Sequence, residues 1–167
     1  VRQDLILADK QNGRAYLEQL VERHISGQLK IAPEHSADRV LRLMNKPPIS
    51  TVSEFLKLYR DVGRKLGTKG HLSCYVIAAH PGCSLEDMRR FLRFARNELR
   101  FIPRQVQIFV PLPSTRSTAM YHCGLDPFSG RKVSSETRVS AKSRQKQVLL
   151  EAKPVGKKGR RRRGPGK

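Results

Sequence analysis

Two short loops in this 167-residue chain each pair a histidine with a proline. Pro33-Glu34-His35 follows the run QLKIA, and His80-Pro81-Gly82 follows LSCYVIAA. An imidazole can hold or release a proton near neutral pH, and a carboxylate accepts hydrogen bonds from hydroxyls and cations. Both loops lead into a helix start, where free backbone N–H groups favour carboxylates and phosphates. Gly82 would let a ligand approach the backbone closely. Each residue also has an ordinary reading. Glu34 would favour a helix dipole, and His35 and His80 would bond a neighbouring carbonyl as polar loop residues. The chain contains no G-x-S-x-G, Walker A or G-x-G-x-x-G sequence. His71, His80 and His122 lack zinc-site spacing with the cysteines.

Alternating strands and helices would bring these loops to one place. Residues 2–8, 28–32, 72–79 and 105–110 read as strands, the third being the most apolar. Pro111 and Pro113 stop the last one. Residues 14–25 carry Leu17, Leu20, Val21 and Ile25 at helical spacing. Ser36 would cap a short helix with Val40, Leu43 and Met44, ended by Pro47-Pro48. Thr51 and Glu54 form a T-x-x-E capping box before a helix burying Val52, Phe55, Leu56, Tyr59, Val62 and Leu66. Ser84 would cap a long helix with Met88, Phe91, Leu92, Ala95 and Leu99 on one face. The pattern predicts parallel strands in one curved sheet with helices on its outer face. Ligands then bind at the carboxyl ends of the strands. The loops there are Asp9-Lys10, Pro33-Glu34-His35, His80-Pro81-Gly82 and 111–114. Pleating must aim Gln107 inward together with Phe109.

Charge divides the chain. The net charge is +20. From Arg131 onward fourteen basic residues face two acidic ones, a net +12, which leaves +8 for residues 1–130. Residues 131–152 read as a linker or polar helix, and 153–167 (KPVGKKGRRRRGPGK) as a disordered basic tail. Arg160, Arg161, Arg162 and Arg163 could neutralise phosphates and make weak, nonspecific RNA or ribosome contacts. No aromatic residue interleaves with them to stack on bases. No apolar run reaches the roughly 18–20 residues of a membrane span. Cys74, Cys83 and Cys123 form no disulfide framework, which fits a reducing cytoplasm. The start at Val1, inside an expected strand, suggests a partial chain.

Three segments, LKIAPEHSADRVLRLMNKP (29–47), YVIAAHPGCSLEDM (75–88) and QVQIFVPLPSTRSTAMYHCGLDPFSG (105–130), resemble YgiQ-type (UPF0313) radical-SAM proteins, in order and with family-like spacing. The resemblance covers roughly residues 1–130. It implies the C-terminal part of a (β/α)₆ barrel, an α/β fragment with parallel strands. The intact enzyme would bind S-adenosylmethionine and a [4Fe–4S] cluster, and reductive cleavage would give a 5′-deoxyadenosyl radical. On the S-adenosylmethionine side the resemblance puts Lys30, Glu34, His35, His80, Pro81, Gly82 and Gln107. Lys30 and Glu34 would meet its ribose or methionine part, and Gly82 would pass near the adenine. The cluster needs C-x3-C-x2-C. Here eight residues separate Cys74 from Cys83 and 39 separate Cys83 from Cys123, so no metal ligand set lies in this chain. The partner it implies is the upstream part of the same barrel, without which the chain should be inert. The substrate is not implied. The alternatives are a basic RNA-binding module and an inactive truncated remnant.

Overall fold

The computed structural model describes residues 1–25, 27–68 and 70–155. The basic run Arg160–Arg163 and most of the expected tail lie outside these residues.

Three strands form the sheet: β1 (Gln28–Glu34), β2 (His71–Ala78) and β3 (Gln105–Ile108), in the order β1-β2-β3. Both pairings are parallel, with Leu29 opposite Leu72 and Ile77 opposite Gln107. The register slips between Ile31 and Glu34, where Pro33 cannot donate to the ladder. Alternate residues then separate two faces. Leu29, Ile31, Cys74, Val76, Ala78 and Val106 are buried in one core with the helices. Tyr75 and Ile77 on the other face are only half-buried, and Gln107 is exposed. Expected parallel strands thus form an open sheet, with the helix-covered core on one side.

The helices are α1 (Gln3–Ala8), α2 (Gly13–Gln19), α3 (Asp38–Leu43), α4 (Ile49–Lys65), α5 (Leu85–Phe94), α6 (Arg116–Cys123) and α7 (Val139–Leu150). Wider π turns extend α2 through His24 and α5 through Leu99. Residues 2–8 are not a strand. Gln3 and Ile6 are buried at helical spacing, α1 packs on α4 and Leu5 is 59% exposed. A short apolar run has no period that tells strand from helix, and packing on α4 decided it. Two expected caps also fail. Ser36 does not cap α3, which starts after Ala37 without a side-chain cap. Helix α4 starts after Pro48, so Thr51 and Glu54 lie inside it.

Ser84 does cap α5. Its hydroxyl accepts the Asp87 N–H while Asp87 returns to the Ser84 N–H, a complete capping box. Ser84→Ala should cost about 1 kcal/mol in urea unfolding. An unchanged midpoint would show that Asp87 holds the helix start alone. Helix α7 packs on α5, β2 and β3 and buries Gln145 and Leu149.

Candidate functional site

The half-exposed face of the sheet ends in a cavity of about 380 Å³ at the carboxyl ends of the strands. Tyr75, Ile77 and Phe109 make its apolar wall, and Glu34, His80, Gln107 and Ser117 bring polar atoms to it. Pleating puts Gln107 on this face, and Phe109 follows the last strand as its N–H bonds the Ala78 carbonyl. The volume lies within the ~300–1,000 Å³ typical of small-molecule sites.

Backbone strain gathers at the same rim. Glu34 (φ 60) ends β1, Ala79 (φ 58) directly follows β2, and Ser114 (φ 62) lies in the loop after β3. Left-handed backbone costs non-glycine residues of order 1–3 kcal/mol, and it persists where surrounding structure enforces it. Among the described residues the other two such positions, Asn45 and Arg100, follow helices.

His80 is 3% exposed. Its Nδ1 lies 2.8 Å from the Pro81 carbonyl, which can only accept, so Nδ1 carries the proton. Burial lowers its pKa, partly countered by that carbonyl. In the neutral ring Nε2 therefore accepts from the Ser117 hydroxyl at 2.7 Å. Among the described residues the hydroxyl accepts no hydrogen bond, and Ser117 lines the cavity. Phe109 meets the ring edge-to-face at 5.2 Å. Glu34 pairs with Lys46 at 2.8 Å.

The remaining expected site residues lie elsewhere. Lys30 is exposed on β1, away from the cavity lining, and its carbonyl accepts from the Val1 amine at 3.2 Å. Pro81 is buried. Gly82, expected to admit a ligand, is closed by protein. Its N–H donates to the Ser134 carbonyl at 2.7 Å and its carbonyl accepts from Arg39. A Cβ on it would lie 2.4 Å from Leu43 Cδ1.

His35, expected at the rim, is fully buried. Its Nδ1 accepts the Ala37 N–H at 2.9 Å, so Nε2 bears the proton and points to Cys83 Sγ at 3.3 Å. The Cys83 thiol donates to Gln145 Oε1 at 3.2 Å, which also accepts the Ala79 N–H at 3.0 Å. This chain ties the ends of β1 and β2 to α7 with each proton assigned. Burial pushes the His35 pKa down to about 4, against the opposing field of Asp87. Burial likewise pushes the Cys83 thiol up to about 12. Both groups are uncharged and brace the loops. Sequence reading missed Gln145, Ser117 and Lys46; only the proline-rich loop near Ser117 offered a signal.

A parallel α/β sheet with helices over one face and a strained, cavity-bearing carboxyl rim is the class of protein defined here. No family model matches the chain. It is 46% identical over 151 residues to UPF0313 protein FN0734 of Fusobacterium nucleatum, covering 90% of this chain and 27% of that protein. A UPF0313 protein of Thermotoga neapolitana is 39% identical over 98% of this chain and 28% of its own length. UPF0313 protein MJ1155 of Methanocaldococcus jannaschii is 37% identical over 90% of this chain and 25% of its own length. The chain belongs to the UPF0313 family and spans about a quarter of the length of these curated relatives. Among the described residues no helix is long and apolar enough to cross a membrane.

Proposed function

We propose that this chain supplies the last β–α units of a radical S-adenosylmethionine barrel. The cavity at Glu34, His80 and Gln107 forms part of the wall that receives S-adenosylmethionine. The observation that carries this reading is the cavity's position. It lies on the less covered face of a parallel sheet, at the carboxyl ends of the strands.

The two cofactors fit this chain differently. The rim suits S-adenosylmethionine: Glu34 and Gln107 offer polar atoms for hydroxyl or amino groups, and Tyr75, Ile77 and Phe109 offer apolar surface for a base. The cluster does not fit. Cys74 and Cys83 are buried thiols with pKa values pushed up to about 12, whereas cluster ligands are thiolates. Its cysteines belong to an upstream part of the same barrel. With that part in place, S-adenosylmethionine and a reduced cluster supply a carbon-centred radical. The residues here bind, orient and exclude water. His80 holds Ser117 in place, and Lys46 fixes the Glu34 carboxylate. Free thiols suit a reducing cytoplasm.

Titration calorimetry tests this with a longer protein that contains this segment and carries its cluster. Glu34→Gln and Gln107→Leu should each weaken S-adenosylmethionine binding about tenfold, the effect of one lost hydrogen bond. Parent-like affinity in both would remove the rim from the site. Micromolar binding by this chain alone would refute the need for an upstream part.

A further inference from the structure

The amino-terminal end of the sheet is built differently from the rim. A groove of about 660 Å³ runs along α4, and a second of about 480 Å³ adjoins it beside the start of β2. Tyr59, Arg60, Gly70 and Arg100 line both. Lys57, Arg60 and Arg64 stand at i, i+3 and i+7 on α4, one stripe about 10 Å long. Among the described lining residues Asp61 is the acidic one, and Arg64 takes it. Arg60 bonds the Glu98 carbonyl. Lys57 and Arg100 are exposed and form no ion pair among the described residues.

A polar donor lies unused at the junction. Tyr59 is 6% exposed, and its Oη has no hydrogen-bond partner among the described residues. Burial raises its pKa, which keeps the proton on the oxygen. It lies against Gly70, where a Cβ would come within 2.4 Å of Oη. A buried hydroxyl without a partner is unfavourable, and an acceptor that reached it would relieve that penalty. The half-buried Phe101 lines the second groove and offers a ring for stacking.

A small anion is held by donors converging in an enclosed pocket. These cations instead follow one helix, and Arg100 joins them beside Arg60 where the two open grooves meet, an elongated arrangement that suits a phosphate backbone. We propose that this groove binds the sugar–phosphate backbone of a single-stranded nucleic acid. The proposal is independent of the reading of the rim.

Fluorescence anisotropy with oligouridylate and oligothymidylate of about twelve nucleotides tests it on the full chain. Lys57→Glu/Arg100→Glu should weaken binding about tenfold and lower the slope of log affinity against log salt by about 1.4, two phosphate contacts. Arg89→Glu/Arg144→Glu makes the same change of net charge on α5 and α7 and should have at most about a twofold effect. Both oligomers should bind alike, because the backbone is what is read. The milder Lys57→Gln/Arg100→Gln should give the same order of effects with an unchanged circular dichroism spectrum. Equal losses in the groove and control variants would overturn the proposal in favour of a diffuse field. Loss only when Arg160–Arg163 become Ser would overturn it in favour of the tail. Binding indifferent to salt would overturn it outright.

Discussion

Replacing Gly82 with Val should lower the unfolding free energy by about 3 kcal/mol, and Gly82→Ala by about 2 kcal/mol. Gly82 has φ +81, a conformation that side-chain-bearing residues rarely adopt. It cannot relax by rotating, because Ser134 holds its N–H and Arg39 its carbonyl. A Cβ would also meet Leu43 Cδ1 at 2.4 Å. Leu43 can swing aside, which limits the clash, but the backbone strain stays. A β-branched residue adds restricted χ1 freedom. Urea unfolding measures both variants. If Gly82→Val unfolded at the parent midpoint, the strap from Ser134 would not hold this turn.

Acid should weaken the fold through His35. In the unfolded chain this histidine titrates near 6.5; in the core, burial holds it down to about 4. Between those values the unfolded chain carries a proton that the folded chain refuses. Stability is therefore complete above pH 6.5 and falls as pH drops toward 4, by about 3 kcal/mol in all. His80, also lowered by burial, adds loss in the same direction. His35→Gln should be less stable at neutral pH, because the bonds to Ala37 and Cys83 are disturbed. Its stability should nevertheless change less between about pH 7 and about pH 5 than that of the parent. Urea unfolding at several pH values shows this directly, and parallel pH profiles for the two proteins would exclude His35 as the source.

Helices α4 and α5 were legible because their apolar residues keep one period over a long run, and the three strands because short apolar runs end at turn-forming residues. Helix α1 was not. Its six residues from Gln3 to Ala8 are too few for a period, and only α4 gives Ile6 a place to be buried. The caps at Ser36 and Thr51 failed for a related reason: cap-forming residues are common, and the first turn starts where packing allows. At the rim, loop positions could be read but not directions. His35 and His80 occupy similar loops, yet one faces the core and the other a cavity. Left-handed backbone precedes both, at Glu34 and at Ala79, so it is the register slip at Pro33 that separates them, and a slip has no sequence period. Gln145 sits in a largely polar helix. Its importance arises from groups 62 and 66 positions earlier, which spacing along one helix cannot reveal.

The separation between Cys83 and Gln145 has a consequence in time. During synthesis at about 5–20 residues per second, the 62 positions between them take roughly 3–12 s. Throughout that interval the thiol lacks its acceptor, and α7 has not arrived to cover it. Its reactivity then is that of an ordinary cysteine, far above that of the finished protein, where burial keeps it protonated. The period of greatest vulnerability to oxidants therefore falls before the chain is complete.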